Sequence, residues 1–397
     1  MSREYYFIFL FFSNNCNDIR FMKRLLLIFC CLLLTQITAQ QNSKIFEAVN
    51  EKLDELWKDS TAPGLSLSIV LPNGEVKTLT RGWANIDKKI EMSPTTKMLG
   101  GSTGKVFYSV VALQLIEEGK LKLDEPIFKS MSDYSWFDRI PNAKNLTVRT
   151  LMRHETGIPR YVFSDAFQTD ILKNVDKVWK PEEILSYIFD AEPEFEVGAN
   201  FAYSDTNYII LSMLIEKITG NSLYDEVQNR VLNKAGLKDV VPQTTRSYED
   251  IAQGYNDIDD SFFPGLQFDE VGKSRYNLQF EWAGGGLVIT THDLAVLAKK
   301  IYEGKMFDPE LLEEYFKGID AGSMGGKWGL GVHIMETPNG LVYGHSGFMP
   351  GYVTNMMYFS KDKFAICYQL NTSDRTRTSI MRYLPSIGQL ISEELNN

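Results

Sequence analysis

The stretch from Gly100 to Lys105 precedes a run that is apolar almost all round, Val106–Ile116. Such a run is too apolar for a surface helix and predicts a buried one, with Gly119 placed to end it. The glycines before Ser102 let the chain turn sharply into this helix. Ser102 then lies near the helix N-terminus, where unpaired N–H groups and the helix dipole stabilise a developing alkoxide. Since Ser102 and Lys105 share a helix face, the pattern indicates a serine nucleophile activated by a lysine amine.

Simpler interpretations of the same residues exist. Ser102 can act only as the N-cap of the helix, and Lys105 can bury its stem while keeping its charge in water. A phosphate-binding loop is excluded, because the Walker pattern needs glycine and Ser/Thr at the positions that Leu99 and Val106 hold. Ser-x-x-Lys is common by chance, so the catalytic interpretation depends on partner residues elsewhere in the chain.

Composition and charge limit the classes of partner. The chain has 397 residues with 44% hydrophobic content, which are values of a globular protein with one large or two ordinary domains. The formal charge of −10, without a basic cluster, argues against nucleic-acid binding. Cys367 is the only cysteine outside the N-terminal segment, so no internal disulfide is expected. The histidines show no zinc spacing, and we expect neither a metal nor a cofactor.

Residues 1–39 are interpreted as a signal segment. Basic residues between positions 20 and 24 precede the apolar run Leu25–Leu34, which is too short to span a bilayer but typical of a secretory signal. Ala39 offers a cleavage point. We therefore expect a periplasmic or secreted protein that begins near Gln40 and has no stable membrane insertion after cleavage. An uncleaved anchor is the alternative.

Strand patterns lie at both ends of the remaining chain. Leu65–Val70 alternates, a Pro-Asn-Gly turn follows, and Glu75–Trp83 returns as the second strand of a hairpin. Amphipathic helices are predicted over Lys44–Lys58 and Ser379–Leu395. The strand patterns of the C-terminal third are Leu330–Met335, Leu341–Tyr343, Tyr352–Phe359 and Phe364–Leu370.

The middle of the chain is mainly helical, and Asn207–Thr219 is its clearest helix. We therefore predict an α/β (α+β) fold, in which an antiparallel sheet built from both chain ends carries flanking helices. It would form one catalytic domain over residues 40–397, with the α/β part at about 40–120 and 282–397 and an inserted helical part at about 121–281. The cleft between the two parts is a common place for a ligand.

Two further motifs follow the serine and the lysine in the chain. Tyr203 and Asp205 enter the clearest helix, and His345 and Gly347 end a predicted strand. The order Ser-x-x-Lys, Tyr-x-Asp and His-x-Gly resembles the serine β-lactamase/penicillin-binding family, in its branch of class C β-lactamases, D,D-carboxypeptidases, D-aminopeptidases and related esterases. The resemblance covers about residues 45–370. Supporting stretches are Glu117–Leu121, Thr147–Pro159, Phe195–Gly198 and Ala283–Leu287.

The resemblance implies a role for each motif residue. Ser102 would attack a carbonyl and form an acyl-enzyme, and Lys105 would keep Ser102 deprotonatable. Tyr203 would relay the proton to the leaving group and later help to activate water, which suits a phenol whose pKa a nearby lysine can lower. His345 would orient the substrate in place of the usual lysine. The backbone N–H groups of Ser102 and Phe348 would form the oxyanion hole.

Two departures from the family pattern affect the expected substrate. The second motif ends in Asp205, where the family usually has asparagine, and His345 stands where β-lactamases usually carry lysine. Both changes disfavour β-lactams. The resemblance also places the run that contains His154 beside the domain boundary, so His154 is interpreted as structural.

These observations predict a secreted serine hydrolase that acts on an ester or amide, as an esterase or a peptidase-like enzyme. Its substrate would be a small molecule or a peptide. A β-lactamase or D,D-carboxypeptidase is the alternative within enzymes. From another class, the chain can be a penicillin-binding-like sensor that is acylated without turnover.

Overall fold

The structure is a computed structural model that describes residues 16–260 and 262–397. Its helices are α1 (Cys16–Lys58), α2 (Gly104–Glu117), α3 (Val148–Arg153), α4 (Asp165–Lys173), α5 (Pro181–Leu185), α6 (Asp205–Thr219), α7 (Leu223–Val227), α8 (Asn233–Ala235), α9 (Thr291–Tyr302), α10 (Leu312–Phe316) and α11 (Pro385–Asn396). Its strands are β1 (Gly64–Val70), β2 (Val76–Asn85), β3 (Ile90–Glu91), β4 (Met98–Leu99), β5 (Val240–Pro242), β6 (Leu287–Ile289), β7 (Ile319–Asp320), β8 (Lys327–Trp328), β9 (His333–Thr337), β10 (Gly340–Met349), β11 (Tyr352–Phe359) and β12 (Phe364–Leu370).

Both ends of the chain build one large antiparallel sheet, as the sequence predicted. Its nine strands lie in the order β3-β2-β1-β12-β11-β10-β9-β8-β7, and a small second sheet has the order β4-β6-β5. The predicted hairpin forms β1 and β2, and Leu65 of β1 pairs on its other side with Leu370 of β12. The predicted fold class is therefore confirmed.

The large sheet is covered on both faces, which explains why β1 is buried along its whole length. On one face, Val49 of α1 and Ile387 of α11 join the core formed by Leu67 and other apolar side chains of β1 and β12. On the other face, the hydroxyls of Ser66 and Ser68 each lie 2.8 Å from the Thr291 hydroxyl at the start of α9. The alternation seen in the sequence thus separates an apolar face from a hydrogen-bonded one.

Helix α2 lies between the sheet and the helical part. Its residues Gly104–Leu115 are buried, and it packs against α6, α7 and the turn over residues 278–284. The helix ends where the sequence predicted, since Gly119 adopts a φ of 69°. The residues between α2 and that turn form α3–α8 with the short β5, in agreement with a mainly helical insertion. The exact domain limits stay a prediction.

Three predicted elements differ from the observed ones. Strand β9 begins at His333, so Leu330 lies outside it, and the C-terminal helix begins only at Pro385. Strand β10 runs on to Met349 and therefore contains His345, which the sequence placed at a strand end. The glycines on either side of His345 interrupt the apolar pattern, but the hydrogen-bonded ladder to β11 continues through them.

The N-terminal helix is longer than predicted. Helix α1 runs without a break from Cys16 through the predicted cleavage point at Ala39 to Lys58. Residues 1–15 of the predicted signal segment lie outside the described residues. No helix in the described part of the chain combines the length and the apolar character that crossing a bilayer requires. Signal cleavage stays a prediction.

Candidate active site

The turn that carries Ser102 is held against the large sheet. Strand β4 leads into a 3-10 turn at residues 101–103, and α2 follows directly. Gly101 has a φ of 53°, and a Cβ atom there would lie 2.6 Å from the Phe348 backbone oxygen. Gly347 is equally constrained, since its Cβ would clash with the Gly100 carbonyl. These glycines let the end of β10 approach the nucleophile turn, so the Phe348 backbone lies beside Ser102.

The Lys105 ammonium has a polar partner for each of its three protons. Its Nζ lies 3.0 Å from Ser102 Oγ and 2.7 Å from Asp205 Oδ1, and it also donates to the Gly284 carbonyl. Burial lowers the pKa of Lys105, but the Asp205 carboxylate opposes this effect, and the pKa is raised overall. Lys105 is therefore a buried, charged and fully hydrogen-bonded group.

Asp205 connects Lys105 to a second cation, Arg160. Arg160 Nε and Nη2 lie 2.9 Å and 2.6 Å from Asp205 Oδ2, while Oδ1 faces Lys105. Burial raises the pKa of Asp205, but the charges of Lys105 and Arg160 outweigh it and hold the pKa well below its usual range. Asp205 can thus only accept hydrogen bonds. Sequence reasoning missed Arg160, although it directly follows the quoted stretch that ends at Pro159.

The Tyr203 ring packs on the other side of Lys105. Lys105 Nζ lies 5.3 Å from the ring centroid, and the phenol oxygen is buried without a well-formed hydrogen bond to any residue that the structure describes. Burial raises the pKa of Tyr203, whereas Lys105 and the nearby Ser102 hydroxyl lower it, and the pKa is raised overall. Lys105 thus lowers the pKa of Tyr203, as the sequence suggested, but desolvation exceeds this effect.

His154 lies closer to these residues than the sequence suggested. Its ring packs on the Tyr203 ring with 4.2 Å between centroids. Its Nδ1 accepts a hydrogen bond from the Ser204 backbone N–H at 3.2 Å and faces the Asn207 amide nitrogen at 3.1 Å. Burial lowers the pKa of His154 well below its usual value, and the ring is neutral. His154 therefore supports the Tyr203 ring from behind and does not face Ser102 in a triad.

His345 is buried in the middle of β10. Its Nδ1 lies 2.6 Å from the Ser346 carbonyl oxygen, its ring centroid is 6.2 Å from that of Tyr203, and its Nε2 has no hydrogen-bond partner among the described residues. Burial lowers the pKa of His345 to about 3, and the charge of Lys105 adds to this effect. A neutral imidazole here does not supply the positive charge that a lysine would.

A cavity of about 330 Å³ opens beside Ser102, and sequence reasoning missed one of its two acidic lining residues, Glu281. Burial raises the pKa of Glu281 to about 7, while Lys105 lowers it and Asp205 raises it. The signal in the sequence was an acid two residues before the Ala283–Leu287 run. The cavity is lined by Ser102, Arg160, Val162, Phe163, Gln168, Asp205, Phe262, Phe280, Glu281, Phe348, Met349 and Pro350.

The structure thus brings together all the residues that the three motifs predicted. Ser102 lies in the turn before α2 and Lys105 in its first turn. Tyr203 lies just before α6, Asp205 begins that helix, and His345 lies on β10. Across the described residues, no group of three or more His, Cys, Asp or Glu side chains could hold a metal ion. A serine next to a buried lysine at a helix N-terminus, with a phenol beside them, is the arrangement of a serine acyl hydrolase.

Comparison with known proteins agrees with a serine hydrolase and identifies the family. The family model described as Beta-lactamase matches residues 49–384. The chain therefore belongs to the beta-lactamase family of serine hydrolases.

Individual relatives are distant but cover most of the chain. The teichoic acid D-alanine hydrolase of Staphylococcus aureus is 25% identical over 349 residues, which are 85% of this chain and 79% of that protein. The D-amino acid amidase of Ochrobactrum anthropi SV3, complexed with L-phenylalanine amide, matches with a TM-score of 0.73 and 24% identity over 89% of this chain and 98% of that one. A D-stereospecific amidohydrolase from Streptomyces sp. matches with a TM-score of 0.70 and 24% identity over 82% of this chain and 94% of that one. The two solved structures establish the fold.

Proposed function

We propose that the protein hydrolyses esters, and less readily amides, of small molecules or peptides through an acyl-enzyme on Ser102. The observation that carries this proposal is the 3.0 Å distance between Lys105 Nζ and Ser102 Oγ inside a buried charged cluster. Related proteins named as a D-alanine hydrolase and a D-amino acid amidase support hydrolysis as the reaction class. Steady-state hydrolysis of p-nitrophenyl acetate and butyrate by the full chain tests this proposal.

Two groups lie where they could take the proton of Ser102, the Lys105 amine and the Tyr203 phenolate. Lys105 is charged and the Tyr203 phenol is neutral at rest, because the pKa of each is raised. One of the two must lose a proton before Ser102 can be deprotonated, so the pair acts as a coupled base. Tyr203 would then return the proton to the leaving group. The N–H groups of Ser102 and Phe348 would stabilise the oxyanion.

The charges of the site favour esters over substrates that carry a carboxylate. Lys105 is fully hydrogen-bonded, the charge of Arg160 is paired with Asp205, and His345 is neutral. Penicillins and D-Ala-D-Ala ends present an amide and a carboxylate together, and they would find no unpaired cation. A hydrogen bond to a charged group contributes about 1.5–3 kcal/mol. Without it, kcat/KM for such substrates would be roughly tenfold lower or more.

We expect a higher kcat/KM for p-nitrophenyl acetate or butyrate than for nitrocefin or benzylpenicillin. Changing Asp205→Asn together with His345→Lys should shift this ratio towards the β-lactams, because the variant offers an amide donor and a new positive charge. Steady-state rates for both substrate classes measure the ratio, and thermal unfolding of each variant is the control for folding. Faster penicillin hydrolysis by the unchanged enzyme contradicts the proposal. An acylation burst without turnover on any substrate would instead identify a sensor.

We also propose that the protein is exported, on the basis of the basic and apolar pattern of residues 1–39. The mature N-terminus should lie near Gln40, in the periplasm or outside the cell. N-terminal sequencing of the protein from fractionated cells measures this. Recovery of residues 1–39 intact on a cytosolic protein would refute export.

A further inference from the structure

Glu281 is a buried acid that the proposed reaction does not use. Glu281 is only 7% exposed to solvent, yet it lines the cavity beside Ser102. The Glu281 carboxylate makes no hydrogen bond or ion pair with any residue that the structure describes. The carboxylate folds back over Gly284, where an added Cβ would lie 3.0 Å from Glu281 Oε1. A carboxylate in such a place needs a hydrogen-bond donor, which water in the cavity or a ligand can supply.

Neither of the neighbouring cations, Lys105 and Arg160, makes a hydrogen bond to Glu281 in the described part of the chain. All three protons of Lys105 are directed at Ser102, Asp205 and Gly284. Arg160 gives its Nε and Nη2 groups to Asp205. The oxygens of Glu281 are therefore hydrogen-bond acceptors without a donor among the described residues, and they lie at the edge of the cavity. A ligand with N–H donors and a positive charge matches them.

The backbone beside Glu281 is held in an unusual conformation. Trp282 has a φ of 33° and a ψ of −109°, which is an outlier for a bulky residue. Its carbonyl accepts hydrogen bonds from Tyr108 Oη at 3.1 Å and from the Gly286 N–H at 2.7 Å. The surrounding structure thus fixes this turn, and with it the position of the acid.

We infer that Glu281 binds an ammonium group of the substrate, so that the site selects acyl groups carrying a free amine beside an apolar side chain. The apolar side chain would lie against the cavity wall of Phe163, Phe262 and Phe280, together with the 59%-exposed Phe348. The inference rests on the proposed function, because it names the acyl group that Ser102 would accept.

The test compares esters of the same carbon skeleton with and without the amine. The methyl esters of D- and L-phenylalanine and methyl hydrocinnamate are hydrolysed by the full chain, and kcat/KM is measured for each by product chromatography. We expect at least about a tenfold preference for one phenylalanine ester, the size of a charge-assisted hydrogen bond. Glu281→Gln should remove this preference, because it should lower kcat/KM for that phenylalanine ester about tenfold more than kcat/KM for methyl hydrocinnamate.

Asp165→Asn is the matched control, because it removes one carboxylate from the exposed start of α4 and leaves the cavity lining intact. This control should keep the preference for the amine. A second measurement needs no variant at all. On the unchanged enzyme, phenethylamine should inhibit ester hydrolysis at least about tenfold more tightly than phenethyl alcohol or hydrocinnamate.

The outcomes separate the two proposals. Hydrolysis of methyl hydrocinnamate without any amine preference overturns the role of Glu281 and leaves the proposed hydrolysis intact. The role of Glu281 is also overturned if a folded Glu281→Gln variant loses kcat/KM equally for the phenylalanine ester and methyl hydrocinnamate. Tighter inhibition by hydrocinnamate than by phenethylamine has the same meaning. If Glu281→Gln does not fold, the inhibitor comparison decides. Failure to cleave these esters and the p-nitrophenyl esters alike refutes the proposed function itself.

Discussion

Ser102→Ala is expected to lower kcat/KM for every substrate of the enzyme by roughly a thousandfold or more, because removal of a nucleophile abolishes the function of a whole catalytic unit. The fold should be retained. The Ser102 hydroxyl receives one hydrogen bond, from Lys105, and that ammonium keeps Asp205 and the Gly284 carbonyl as partners. Initial rates with the best ester and circular dichroism of both proteins provide the measurement.

Ser109→Ala is the control for the loss of a serine hydroxyl near the nucleophile. Ser109 is buried in α2, the helix that follows Ser102, and its hydroxyl lies 3.0 Å from the Lys105 carbonyl and 3.0 Å from Tyr208 Oη. Its loss should affect stability more than rate. Mass spectrometry of a trapped adduct should find the acyl group on the peptide that contains Ser102. Turnover near the normal level in Ser102→Ala, or an adduct elsewhere, would exclude Ser102 as the nucleophile.

Tyr203→Phe is expected to lower kcat by about a hundredfold or more while KM changes little, which is the usual size of a general acid–base contribution. The phenylalanine ring would keep its packing against His154 and Trp328. Only the hydroxyl that exchanges the proton with Ser102 and the leaving group would be lost. Steady-state kinetics over a range of pH separates kcat from KM.

Tyr208→Phe provides the matched control, because Tyr208 is a buried phenol on α6 that bonds Ser109 and does not line the cavity. Loss of the Tyr208 hydroxyl should leave kcat within a few-fold of the value for the unchanged enzyme. The pH profile adds a second readout for Tyr203→Phe. Since the pKa of Lys105 is raised, a variant that depends on this lysine alone should recover activity only as the pH rises. An unchanged kcat at neutral pH would mean that Lys105 serves as the base without Tyr203.

Local patterns in the sequence were sufficient for the main elements. The apolar run after Ser102 could only be a buried helix, and the Gly119 signal ended it at the observed place. Alternation in β1 and the turn after it gave a hairpin. These features depend on residues close together in the chain, where the periodicity of a helix or a strand is visible directly.

Patterns failed where pairing between distant segments overrides local preference. The glycines around His345 suggested the end of a strand, but the ladder with β11 carries β10 on to Met349. This continuation has no distinct signal in the residues themselves.

The N-terminal helix differs for another reason. It was predicted as a separate element from Lys44, because residues 1–39 were assigned to a signal segment, whereas α1 begins at Cys16.

The sequence by itself determined the fold class, the family and the set of motif residues, because each of these is carried by residue types at fixed spacing. Only the tertiary structure decided the electrostatics of the site. It placed Arg160 against Asp205, 45 residues away in the chain, and brought the buried Glu281 to the cavity beside Ser102. It also buried the Tyr203 phenol, so that desolvation exceeds the lowering effect of Lys105 on the pKa of this group. The pKa of a group depends on its burial and on charges a few ångströms away, and folding alone creates that neighbourhood.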